Sequence, residues 1–191
     1  MVVQSLEQAK SETVSEVDLT VNTITEPLDS YRVGEGYFAV AEYSRERPYI
    51  ITYGLSVCKG IVMYDPDKKR GLVAHLAWAE DAETSLSGIV DSYEDSLQSS
   101  DVLTVQTSTE GNPEYWPTLE SVTELLLRHN PRSLAIDKNT QGTWVRGIAL
   151  HLGNGQVSEI DPTKAWRWSK EQDTSRNLWI PAAGTPFSPC A

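Results

Sequence analysis

The chain has 191 residues, of which 39% are hydrophobic and 23% charged, an ordinary globular mixture long enough to bury a sizeable core. Its net charge of −11 excludes a phosphate-backbone reader, which needs a basic stripe, and the one basic cluster, Lys68-Lys69-Arg70, reads as a solvated turn. The first residues carry no basic leader and no run approaches ~18 apolar residues, so neither secretion nor membrane insertion is expected, and two cysteines in this length fit a reducing, cytoplasmic compartment.

In chain order, residues 1–15 are rich in Ser, Glu and Gln and read as a disordered arm, after which Val17, Leu19 and Val21 alternate as a short strand. Residues 37–43 and 49–53 are expected strands. Residues 60–64 and 71–78 are two β-rich runs around Asp65-Pro66-Asp67-Lys68-Lys69-Arg70, which carries turn chemistry, so they form a hairpin. A four-residue loop, Pro66 to Lys69, pairs Asp65 with Arg70 and brings Gly60 opposite His75. Cys58 is then a diagonal neighbour of His75 on the same face, with Cα atoms about 7–8 Å apart, and Gly60 leaves room for the imidazole to lean across. One more loop residue would send Cys58 to the opposite face.

Residues 85–97 are expected as a helix with Leu86, Ile89, Val90, Tyr93 and Leu97 on one stripe, followed by a strand at 102–105. Thr118, after Pro117, caps a second helix with Glu120 and Glu124 on its polar face and Val122, Leu125 and Leu126 on its core side; it ends near Asn130-Pro131. Residues 133–136 and 144–152 follow as strands, and Gly153-Asn154-Gly155 turns the latter into a strand at 156–160. The tail, residues 162–191, holds Trp166, Trp168, Trp179 and Cys190 and is expected to pack back on the sheet, since exposed indoles are unusual. The sum is an α+β fold: largely antiparallel mixed sheets in a layered sandwich with two helices, one domain over residues 16–161.

Cys58 and His75 supply the thiol and imidazole that a cysteine hydrolase needs, because the thiolate is the nucleophile and a free thiol near pKa ~8.5 stays protonated until a base takes its proton. Each also has a plainer reading, as a small apolar core residue and a hydrogen-bonded core histidine. Asp65 and Asp67 read as turn chemistry rather than a cation site, and His129, at a helix end, and His151, beside a turn, pair with no metal-ligand partner, so no metal is expected. Gly54-Leu55-Ser56-Val57-Cys58 departs from a serine nucleophile elbow at its last position, where Gly is required, which sets Ser56 aside as a nucleophile.

Thr52-Tyr53-Gly54-Leu55-Ser56-Val57-Cys58, then Tyr64-Asp65-Pro66, a basic turn, Gly71 and Ala74-His75, resembles the chemoreceptor glutamine deamidases of the CheD type. Those have a Thr-x-Gly-Leu-Gly-Ser-Cys segment, a Tyr-Asp-Pro turn and a Gly-x-x-x-His strand, and they belong with the cytotoxic necrotizing factors to a wider group of cysteine deamidases. The resemblance covers residues 48–78 and implies Cys58 as nucleophile, His75 as general base and Thr52 as the residue that orients the imidazole. It further implies a bacterial cytoplasmic enzyme that converts glutamine to glutamate on a chemoreceptor, or on another protein as in the toxin-like relatives, with no metal or organic cofactor. Ser56-Val57 replaces the family's Gly-Ser. A β-branched Val57 does not take positive φ, so the bends that leave a backbone N–H free for an oxyanion are expected at Gly54 and Gly60. The competing class is a non-catalytic binding module of the same fold, docking to a phosphatase or receptor, in which Cys58 and His75 are core residues.

Overall fold

The computed structural model describes residues 14–17, 19, 30–76, 82–105, 118–137 and 146–160. Their strands are β1 (Val14–Val17), β2 (Ser30–Val33), β3 (Phe38–Glu42), β4 (Tyr49–Leu55), β5 (Lys59–Asp65), β6 (Arg70–Leu76), β7 (Asp101–Val105), β8 (Ser133–Asp137), β9 (Arg146–His151) and β10 (Val157–Ile160). The helices are α1 (Ala82–Asp91), α2 (Glu94–Leu97) and α3 (Leu119–Leu127). A six-stranded sheet has the order β1-β8-β7-β5-β6-β3 and a four-stranded sheet the order β10-β9-β4-β2; both are mixed, and the architecture is α+β.

Alternation along the central hairpin makes the layers. Every residue of β5 is buried, because Ile61 and Met63 join the cluster that includes Leu86, Ile89 and Leu126 of the helices, whereas Val62 and Tyr64 join one that includes Ile50, Ile148 and Leu150 of the second sheet. β6 divides likewise, with Leu72 and Ala74 toward the helices and Val73 toward the second sheet. The result is helix on sheet on sheet. The turn is held by Asp65, whose Oδ1 accepts the backbone N–H of Asp67 (3.0 Å) and Lys68 (3.2 Å), while Lys69 closes the loop at φ 49°.

The stripe Leu86, Ile89, Val90, Tyr93 and Leu97 is buried as expected, but the single helix over 85–97 divides into α1 and α2. Ser92 Oγ bonds back to the Ile89 carbonyl (2.6 Å), and Tyr93 takes φ −126° so that its hydroxyl donates to Arg70 O (2.6 Å) and accepts from Asp65 N (3.1 Å). A tertiary anchor at the hairpin end thus outweighs local helix continuity. α3 conforms to expectation: Thr118 Oγ1 caps Ser121 N (3.1 Å), Val122 and Leu126 are buried, Leu125 packs half-buried beside them, and Asn130 leaves the helix at φ 53°.

Other expectations need correction. β1 lies at Val14–Val17, so Val14 and Ser15 belong to a strand parallel to β8 rather than to an arm; of the expected 17–21 strand, Val17 ends β1, Leu19 is in no strand and Val21 lies outside the described residues. β2 was unexpected, since Ser-Tyr-Arg-Val does not alternate; pairing with β4, Ser30 to Tyr49 through Val33 to Thr52, creates it. β4 runs past 53 to Leu55 across an irregularity in its pairing with β9. The arm's residues 1–13, Val21, Trp78, Pro117, Trp144 and the tail from 162 lie outside the described residues.

Tyr93→Phe removes one buried and one part-buried hydrogen bond and leaves the Asp65 N–H and the Arg70 carbonyl without that partner. Urea unfolding is expected to show about 1–3 kcal/mol lost, with an unchanged m-value.

Candidate active site

The hairpin register is the one the loop count requires: Asp65 pairs with Arg70 and Gly60 with His75. His75 follows Val73 on the face toward the second sheet, and Cys58, immediately before β5, belongs to the same inter-sheet cluster. The role expected of Gly60 is different, however. A Cβ there would come within 3.1 Å of Leu55 and Ile148 and 3.3 Å of Val105, so its small size admits side chains that pack the two sheets together rather than a leaning imidazole.

His75 is 1% exposed and reaches the opposite sheet, where its Nδ1 lies 3.0 Å from Thr52 Oγ1. Thr52 Oγ1 also donates to the Val33 carbonyl (2.8 Å). A hydroxyl has one proton, and the carbonyl can only accept, so Thr52 accepts from His75 and Nδ1 carries the ring proton. Nε2 is then the lone-pair nitrogen. It is fully buried with no hydrogen-bond partner among the described residues, Cys58 included, a status shared by Ser30 Oγ and Thr104 Oγ1.

Burial pushes the Cys58 thiol up to about 12, with the Glu35 carboxylate acting in the same direction. Backbone N–H groups of Ser56 and Cys58, together with Lys59, oppose the rise. Burial holds His75 down at about 4. Across neutral pH the two groups therefore rest as thiol and imidazole, both uncharged, instead of the thiolate and imidazolium of an exposed reactive cysteine.

The chain before Cys58 bends at Gly54, which has φ +81° and sits in the β4–β9 irregularity between Tyr53 and Leu55. Gly60 lies in regular β5 register without positive φ, so the second expected bend is absent. Ser56 and Val57 are half-buried in the connection between β4 and β5, and the Val57 carbonyl accepts from Lys59 Nζ (3.3 Å).

A second polar group went unrecognised in the sequence. Arg146 Nη2 bonds Asp137 Oδ2 (2.7 Å), while Arg146 Nε and Nη2 meet the Glu159 carboxylate at 3.2 and 3.3 Å, all three residues being buried. Asp137, Val105, Gly60 and His75 form one transverse row of the large sheet, and Thr52, Ile148 and Glu159 one row of the small sheet. The ion triad and the Thr52–His75 bond thus occupy the same end of the inter-sheet layer. Charged residues at strand positions beside apolar neighbours were the available signal; the partners are far apart in sequence.

The remaining candidates stay local. Asp65 also accepts from Ser99 Oγ (2.8 Å), completing a turn and not a cation site, and His151 Nδ1 accepts from Gly153 N (3.2 Å) with its ring against Tyr49. Among the described residues no group of three or more His, Cys, Asp and Glu could hold a metal ion, and His129 joins no such group. Cys190 lies outside them. No protein-family model matches the chain, and no curated protein matches it either.

Two outcomes follow. Arg146→Met leaves two carboxylates buried against an apolar side chain and is expected to lose about 3–5 kcal/mol in denaturant titrations. For His75, both folded and unfolded chains are neutral above its ordinary 6.5; below that the unfolded chain takes a proton that the folded one refuses until about 4. Stability is therefore lost as pH falls through this window, by about 1.4 kcal/mol per unit at most from this group. Urea midpoints measured from pH 7 to 4.5 should lose that component of their slope in His75→Gln.

Proposed function

We propose that the chain is a cysteine-dependent protein-glutamine deamidase with a CheD-like fold, acting on a glutamine of a chemoreceptor or another protein in a bacterial cytoplasm. The observation that carries the reading is the proton inventory at Thr52: with its hydrogen committed to Val33 O, it fixes His75 in the tautomer whose bare Nε2 can take a proton. The Cys58 thiol in the same inter-sheet layer is the proton donor within this scheme. The motif likeness and the realised hairpin register support it.

His75 Nε2 accepts the thiol proton as Cys58 Sγ attacks the glutamine carboxamide carbon, and the oxyanion is met by backbone N–H groups of the 56–58 connection. The C–N bond breaks as imidazolium returns the proton to the leaving nitrogen, releasing ammonia and a thioester. His75 then deprotonates a water that attacks the thioester carbonyl; glutamate forms and the thiol is restored. With uncharged partners at rest, deprotonation accompanies attack. The acid limb of kcat/KM then falls near 4 rather than near an ordinary imidazole's 6.5. No helix among the described residues is long and apolar enough to cross a membrane.

The burial of Cys58, 3% exposed, favours a second reading: a binding module that keeps Cys58 and His75 as core residues. Ammonia release and the mass shift of glutamine-bearing helical proteins separate the two. In the deamidase, Cys58→Ser and Cys58→Ala abolish release with little change in urea midpoint, whereas Thr52→Val reduces it about 10–100-fold while both reacting groups remain. Gly54→Val finds open space for its side chain yet cannot hold φ +81° without strain, so it displaces the loop and removes activity from a folded protein. Full activity in the Cys58 variants excludes this nucleophile, and a wild-type protein inert toward every glutamine substrate leaves the binding module.

A further inference from the structure

The segment joining β2 to β3 is stitched to the end of the histidine strand. Tyr37 N returns to Gly34 O (3.1 Å), Gly36 takes φ +77°, Gly36 N donates to His75 O (2.9 Å) and His75 N donates to Tyr37 O (3.0 Å). Glu35 stands at the tip of this turn and is exposed, whereas Gly36 beside it is buried. β6 lies between β5 and β3. With strands about 4.8 Å apart, the Glu35 turn and the Cys58 connection flank the end of β6 at about 10 Å backbone separation, a span that a glutamate side chain shortens. The turn is thus fixed to the same backbone that fixes His75, and its exposed carboxylate adds to the upward push on the Cys58 thiol.

We infer that Glu35 makes the approach to Cys58 cation-selective, so that the partner presents a lysine or arginine beside the reacting glutamine. The glutamine in this statement rests on the deamidase reading; the charge preference does not. A carboxylate at this position stabilises a positive group arriving at the sulfur and repels a negative one. The chain's net charge of −11 steers encounters in the same sense, favouring a basic partner surface over an acidic one. Lys59, whose charge acts on the thiol in the opposite sense, is buried with its Nζ on the Val57 carbonyl, whereas Glu35 is exposed.

The test uses the full chain with Cys190→Ser, so that Cys58 is its single thiol. Second-order rates are measured with a matched trimethylammonium-ethyl and sulfonato-ethyl methanethiosulfonate pair. Each reaction joins the probe's sulfur to Sγ as a disulfide and releases methanesulfinate. The cationic probe is expected to react faster, the ratio to fall about three- to tenfold in Glu35→Gln and to invert in Glu35→Lys, and the wild-type preference to shrink as salt is raised. An equal ratio in wild type and Glu35→Gln overturns the proposal, as does a Cys58 inert to both probes. A second arm compares ammonia release from peptides with Lys or Glu flanking the glutamine. A Lys preference that Glu35→Gln reduces supports the inference, and one that Glu35→Gln leaves intact overturns it. Charge-selective thiol labelling without ammonia from any peptide retains Glu35's selectivity and discards the deamidase reading.

Discussion

Thr52 and His75 come from different sheets, so the 3.0 Å contact between them exists only when the two sheets pack at one depth and one relative register. Three structural facts converge on it. The parallel pairing of β2 with β4 brings Val33 opposite Thr52, which supplies the carbonyl that takes the hydroxyl proton. The β5–β6 hairpin turns His75 toward β4, and the small Gly60 beside it lets Leu55 and Ile148 close the layer. Remove any of these and the imidazole loses its tautomer as well as its position. A single hydroxyl proton therefore couples the packing of the sandwich to the chemistry available in it.

That coupling is bought with burial. Most of the inter-sheet layer is aliphatic and aromatic, but one end holds His75, Cys58 and the Arg146–Asp137–Glu159 triad out of water. Replacement of these groups by apolar ones of the same shape would be expected to stabilise such a layer, since buried ion pairs repay little of their desolvation. Arg146 answers two carboxylates, one from each sheet, and so resists rotation of β8 against β10 more specifically than an apolar contact does. Rigid walls would suit the reaction we propose, in which a misplaced reacting atom loses much of the rate.

The parts legible in the sequence are those governed by short-range periodicity. The hairpin register followed from the loop length and from Pro66 at the second turn position, because a two-residue period leaves no intermediate choice of face. The buried faces of α1 and α3 followed from their spacing of apolar residues. What escaped was set by partners distant along the chain. The break at Tyr93 depends on Arg70 and Asp65, β2 on β4, and the triad on three separate strands. Gly60 is instructive because its position was legible but its purpose was not: from sequence it left space for an imidazole, and in three dimensions that space belongs to Leu55 and Ile148.

A thiol held at about 12 and an imidazole at about 4 are a poor ion pair, and this bears on how such a site avoids damage. A preformed thiolate reacts with any electrophile or oxidant that reaches it. Here the charge-separated state is penalised by the same dry layer that positions Thr52 and His75, so Cys58 reacts more slowly than a preformed thiolate unless something stabilises the developing charge. In the deamidase we propose, an amide carbonyl seated beside the 56–58 connection would take the negative charge from sulfur to oxygen, where the N–H groups that now lower the thiol's pKa could follow it. On that proposal a correctly placed carboxamide is favoured over a small thiol reagent, and the burial that makes Cys58 look like an ordinary core residue becomes a means of discrimination.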